Sequence, residues 1–175
     1  MAAATRVIAA QGLGAATATI AKDAGVSNGS LFTYFATKAD LLSQLYLELK
    51  SEMGAAALAG LPTERDVRGQ MLHLWRNWLR WAVSCPEKRR ALAHLSVSDD
   101  IAPESRAAAH RAMAGVAALL ERSRENGALR DAPLAFVAAL MSAMADTTMD
   151  FMIADPANAD RHSRTAFEAL WRMLV

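Results

Sequence analysis

The stretch "AGVSNGSLFTYFATKADLL", residues 24–42, holds one helix stop and two helix starts in close succession. Gly25 suits the left-handed turn that closes a helix. Ser27 is a good N-cap for the next one. That next helix, Asn28 to Phe35, runs for only about two turns before another begins after Thr37. Leu31 and Phe35 lie four apart and share a face, which predicts packing against Ile20, Ala21 and Ala24 of the preceding helix, with Val26 as a buried plug in the turn. The opposite face then carries Asn28, Gly29, Thr33 and Tyr34, side chains too small or polar to serve helix stability. Two short helices, a glycine-containing turn and one apolar seam make a helix-turn-helix.

In such a unit the second helix lies in the major groove of DNA, with its first residues at the base edges. Asn28 has the donor and acceptor needed for adenine or for a phosphate. Gly29 permits close backbone approach, and Thr33 offers a methyl and a hydroxyl. Ser27, Ser30 and the amides at the helix start favour an anion. Thr37 and Asp40 form a capping-box start for the following helix. Lys38, just inside that start, faces the positive end of the helix dipole, a mild cost that an outside phosphate would reverse. Taken alone, a solvated surface lysine is the plainer reading of Lys38.

The rest of the chain reads as helix almost throughout, with no segment bounded like a hairpin. Helices are expected over Ala3–Gln11, Thr17–Ala24, Asn28–Phe35, Lys38–Met53, Glu64–Ser84 and Glu87–Val97. Three more cover Pro103 to the "ENG" stop at Gly127, Pro133–Ala154, and Asp160 to the C-terminus. That makes about nine, an all-α protein. The 175 residues, 53% hydrophobic and 21% charged, suit a soluble globular chain. No apolar run reaches the roughly 18–20 residues that span a bilayer, and the N-terminus lacks a signal-peptide layout, so a cytoplasmic location is expected. Cys85 is the single cysteine, in keeping with a reducing compartment. Residues 1–52 carry Arg6, Lys22, Lys38 and Lys50 against Asp23, Asp40, Glu48 and Glu52. That neutral balance is unusual for a surface that meets phosphates.

Residues 19–42, "TIAKDAGVSNGSLFTYFATKADLL", resemble the DNA-binding signature of the TetR family of transcriptional repressors, an "IA…AGVS.G.LY.YF..K..LL" pattern. The resemblance implies a three-helix domain over residues 1–37, a connecting helix over 38–53, and a larger helical ligand-binding and dimerisation domain over 54–175. It implies that Thr17, Ser30, Tyr34 and Lys38 hold phosphates, that Asn28, Gly29 and Thr33 approach bases, and that Ser27 caps the recognition helix. Phe32 stands where the family commonly has a tyrosine. Only Ala2–Thr5 precede Arg6, where the family usually has several more residues, often basic. The expectation is that the protein begins further upstream, which would account for the neutral balance.

Val67, Met71, Leu74, Trp75, Trp78, Trp81 and Ala82 form an apolar arc broad enough for contacts on more than one side. Plain core explains any one of them; in the resembled family this helix lines a ligand cavity, mostly apolar as such cavities are. Candidate wall residues are therefore Met71, Trp75, Trp78, Leu95, Met113 and Met144, with His94 able to face either way. His73 shares a stripe with Asp66, Gln70, Asn77 and Arg80 and reads as solvated. Val137, Leu140, Met144, Thr148 and Phe151, then Phe167, Leu170, Trp171 and Leu174, form stripes at helical period. These are core in an isolated domain. By the resemblance, Val137, Leu140, Phe151, Phe167, Leu170, Trp171 and Leu174 pair across a two-fold axis.

No nucleophile–base pair, carboxylate pair or metal-ligand spacing is recognisable, so no catalytic residue, metal or cofactor is expected. The function expected is a homodimeric regulator, a repressor, that binds double-stranded operator DNA and is released by a small apolar or aromatic effector. The alternatives are a DNA-binding regulator controlled by a protein partner and, more remotely, an all-helical enzyme. No membrane partner is expected.

Overall fold

The computed structural model describes residues 1–175. It contains ten α-helices and no strand: α1 Ala2–Gln11, α2 Thr17–Asp23, α3 Asn28–Tyr34, α4 Lys38–Leu58, α5 Val67–Ser84, α6 Pro86–Ser96, α7 Pro103–Ala112, α8 Ala114–Arg124, α9 Leu134–Ala154 and α10 Ala159–Leu174. A single 3-10 turn, Pro156–Asn158, joins the last two. The long helix expected from Pro103 to Gly127 breaks at Met113 into α7 and α8. Helix α4 runs through Gly54 to Leu58 instead of ending at Met53, because the alanines after Gly54 carry the helix on.

The chain divides into two compact units, Met1–Glu52 with Cys85–Ala112, and Met53–Ser84 with Met113–Val175. In the first, α1 packs against α2 and α6, and α2 packs against α3. Small residues on the facing sides, Ala3, Ala4 and Ala9 on α1 and Ala91 on α6, are buried. Ile8, Ile20, Leu41, Leu42, Leu45 and Leu49 fill the core of this unit. Buried Ser43 ties α4 to the "SDDIAP" loop, its Oγ accepting from the Ala102 amide at 2.9 Å. Lys88 Nζ donates to both oxygens of Glu52 at 2.6 and 2.7 Å, linking α6 to α4. That hydrogen bond outweighs desolvation and raises the pKa of the lysine.

In the second unit α5 packs against α8, α9 and α10, and α9 packs against α10. Trp75 is fully buried at the centre, and its indole N–H donates to the Ser163 carbonyl of α10 at 3.1 Å. The turn after α8 is built around Arg124, a buried guanidinium. Its Nε and Nη2 donate to Glu121 at 2.9 Å each, and Nη1 donates to the carbonyls of Leu129, Arg130 and Ala132 at 2.5, 3.0 and 2.5 Å. Gly127 does not take the left-handed conformation expected of a helix stop, since positive φ occurs only at Gly12, Gly25 and Gly60. It is glycine for a different reason: a Cβ there would stand 1.7 Å from the Leu174 carbonyl oxygen.

Of the expected solvated stripe, Asp66 and Arg80 are exposed, but Gln70, His73 and Asn77 are engaged within the fold. His73 Nε2 and Asn77 Nδ2 reach the Ala59 carbonyl at 2.8 and 2.9 Å. Buried Gln70 donates to the carbonyls of Thr63 and Arg65 at 3.3 and 2.7 Å. The segment between α4 and α5 has carbonyls with no helical partner, and these side chains supply the donors.

Candidate nucleic-acid interface

Helix α3 is short because both ends are specified. At its start Ser27 adopts extended backbone angles, and its Oγ accepts from the Ser30 amide at 3.0 Å. At its end Phe35 leaves the helix at φ −133°. Before it, Gly25 takes φ +71°, the left-handed turn that joins α2 to α3. The next helix opens on the reciprocal capping pair: the Thr37 amide donates to Asp40 at 3.0 Å, and the Asp40 amide donates to Thr37 Oγ1 at 3.1 Å.

One side of α3 is anchored by Leu31, which is buried with Ile20 and Ala21 of α2; Phe35 is half-buried. Val26 is not the expected plug: it is 44% exposed, and Ala24 is exposed too, because the turn lies at the surface. The other side is open. Asn28, Gly29, Ser30, Phe32, Thr33 and Tyr34 are all exposed, Tyr34 by 79%. Thr17, at the start of α2, is half-buried.

Some polar groups of this face already have partners. Ser27 Oγ and Ser30 Oγ lie 2.8 Å apart, and Thr33 Oγ1 donates to the Ser30 carbonyl at 2.5 Å. Lys38 is half-buried, and its Nζ donates to the Leu13 carbonyl at 2.6 Å. This fixes the α1–α2 loop to the start of α4 and leaves two of the ammonium's three donors. Arg6 pairs with Asp23 at 2.7 Å, joining α1 to the end of α2. Lys22 is exposed beside them. The cations in this region are thus few, and two of them, Arg6 and Lys38, are engaged within the fold.

A protein-family model for bacterial regulatory proteins of the tetR family matches residues 1–45. That span is the capped helix-turn-helix just described. Over those residues the chain is similar to the tetR family. A solved protein from Shewanella sp. PV-4, described as a tetR family transcription regulator, is 29% identical. The match covers 97% of this chain and 92% of that one, with a TM-score of 0.84. A tetR family transcription regulator from Marinobacter aquaeolei VT8 is similar in fold at 22% identity, with coverage of 99% and 92% and a TM-score of 0.86. The fold is also similar to that of the regulator FadR from Bacillus subtilis, solved with stearoyl-CoA, at 16% identity, coverage of 99% and 97% and a TM-score of 0.72. The chain is therefore an all-α protein whose N-terminal helix-turn-helix is similar to that of tetR family transcription regulators.

The expected ligand wall divides between the units. In the first, Leu95 is fully buried and His94 is exposed, its ring beside Gly12. In the second, Met71 and Trp75 are fully buried, and Trp78, Met113 and Met144 are half-buried. The rings of Trp75 and Trp78 meet edge to face with centroids 6.3 Å apart. A cleft of about 410 Å³ within this unit is lined by other residues of α5 and by α9 and α10.

Of the seven residues expected at a dimer interface, Val137, Phe167, Leu170 and Leu174 have no exposed surface in the single chain. Leu140 and Trp171 are half-buried and Phe151 is 58% exposed. The inward stripe of α9 is Val137, Met141, Ala145, Thr148 and Met149. Its outward apolar residues include Phe136, 53% exposed, which periodicity did not single out.

Proposed function

We propose that the chain is a homodimeric repressor that places α3 of each protomer in the major groove of operator DNA and is released by a small effector. The observation that carries this reading is the division of α3 into a buried seam at Leu31 and an uncovered face at Asn28, Gly29, Thr33 and Tyr34. Gly29 supports it particularly. A Cβ at that position would meet only Ser27 Oγ, at 3.8 Å, so the fold has room for a side chain there. A glycine that the fold does not require is what a closely approaching duplex demands. In this reading Asn28 reads base edges, while Ser30, Tyr34, Thr17 and the remaining donors of Lys38 hold phosphates.

A single helix-turn-helix touches few base pairs, and two half-sites about 34 Å apart are the usual remedy. Helix α9 offers the surface for a second copy: Phe136, Leu140, Ala143, Thr147 and Phe151 recur at three- and four-residue steps on its uncovered side. By length and composition alone α9 is apolar enough to cross a membrane, and only 28% of its most apolar 18 residues are buried. Asp146 and Asp150 sit on it, and carboxylates at such depth are costly; a second protomer is the better cover. Effector binding in the second unit would act by linkage, favouring a disposition of α4 that changes the spacing of the two recognition helices. The site of action is then the cytoplasm, where the DNA is.

An electrophoretic shift with duplex DNA flanking the gene tests the reading. A shift by the native chain that is lost in Asn28→Ala/Tyr34→Ala supports it. The absence of a shift from a folded dimer contradicts it.

A further inference from the structure

We propose that the cleft between α5, α9 and α10 binds a small amphipathic anion, its phosphate or carboxylate head held by Arg76, Arg80 and Arg164 and its apolar part against Val83 and Met152. The proposal deepens the effector reading and rests on it. It replaces a neutral aromatic ligand among the tryptophans with an anionic one at the arginines of α5 and α10.

Arg76 and Arg80 are four residues apart on α5 and so stand one above the other. Arg164 comes from the first turns of α10, across the cleft. Like charges at this spacing repel, which is unfavourable unless something anionic is shared between them. The chain supplies little. Arg80 donates to Asn77 Oδ1 at 3.2 Å, and none of the three guanidinium groups forms an ion pair within the protein. Asp160 is the one carboxylate of the lining.

A second concavity of about 190 Å³ borders the same stripe, shares Arg76 and Arg80, and adds Arg65. Its other polar groups, His73 and Asn77, are occupied by the Ala59 carbonyl. Guanidinium groups are thus the free donors on both sides, and they match oxyanions in bidentate geometry. The cleft volume of about 410 Å³ lies within the range of small-molecule sites, about 300–1,000 Å³. The mixture of three cations with the partly open Val83 and Met152 favours a headgroup with a short tail over a bare ion.

Calorimetric titration of the full chain with octyl phosphate, octanol and inorganic phosphate tests this. Octyl phosphate is expected to bind at least roughly ten-fold more tightly than either, as charge-assisted hydrogen bonds allow. Arg76→Ala/Arg164→Ala should remove that advantage, and Arg76→Lys/Arg164→Lys should restore part of it. Both pairs are exposed, so melting temperatures should stay near the native value. Equal binding of octyl phosphate and octanol, or unchanged binding by the alanine pair, overturns the proposal. A gel shift without ligand keeps the two readings apart. If the native chain shifts operator DNA but ignores octyl phosphate, the cleft assignment fails and the regulator stands. If it binds octyl phosphate but no DNA, the operator reading fails instead.

Discussion

Gly29 and Tyr34 separate what the fold needs from what a partner needs. Gly29→Ala has space for its methyl and should leave the melting temperature unchanged or slightly raised, since alanine is the better helix former by about 1 kcal/mol. The same substitution should weaken DNA binding, because the methyl stands where a duplex would approach. A loss of stability with DNA binding intact would contradict this. Ser27→Ala is the converse case. Removing the acceptor for the Ser30 amide should cost about 1 kcal/mol in chemical denaturation. Lys38 combines both roles. Its bond to the Leu13 carbonyl means that Lys38→Ala lowers stability as well as affinity, so Tyr34→Ala, at 79% exposure, is the cleaner probe of uniform phosphate contact. The caps at Ser27 and Thr37 were legible because short-range hydrogen bonds have short-range sequence signatures. The bond from Lys38 to a loop 25 residues away had none.

Helices α8, α9 and α10 depend on devices that no local pattern announces. Arg124 closes the turn after α8 with donors to three carbonyls and to Glu121. Arg124→Met should cost about 3 kcal/mol in equilibrium unfolding, since it leaves buried acceptors unpaired; an unchanged midpoint would contradict that role. Gly127→Ala forces a methyl into the Leu174 carbonyl and should displace the end of α10, visible as lost hydrogen-exchange protection there. The turn from α9 to α10 carries a pH dependence. Hydrogen bonds from His162 and Asn158 lower the Asp155 pKa. Its stabilising contribution is therefore full above the unfolded carboxylate value of about 3.9 and is lost as pH falls through the lowered folded value. The melting-temperature gap between the native chain and Asp155→Asn should be fully developed above about pH 4 and should close as pH falls further. A gap that persists in acid would contradict the assignment.

The two units differ in how much of them could be read from residues. The helix-turn-helix is specified locally, by Gly25, Ser27, Leu31, Thr37 and Asp40, and its helices lie within a residue or so of expectation. Helix α9 is apolar over most of its circumference, outside the stripe of Ser142, Asp146 and Asp150, so periodicity could not choose which apolar face turns inward. The expected stripe of Val137, Leu140, Met144, Thr148 and Phe151 accordingly straddles the buried and open faces. The break at Met113 lies in an alanine-rich run with no proline, and nothing nearby in sequence marks it. If the open side of α9 is the dimer seam, Phe136→Asp/Phe151→Asp should convert the dimer to a monomer by light scattering while leaving the helical content intact. A persistent dimer would move the interface elsewhere.

The most direct measurement is fluorescence anisotropy of labelled duplex DNA flanking the gene, titrated with the native chain and with Asn28→Ala/Tyr34→Ala. The prediction is saturable binding by the native dimer, and a loss of at least roughly ten-fold in the double variant at an unchanged melting temperature. Equal binding by the two proteins would show that α3 does not enter the groove.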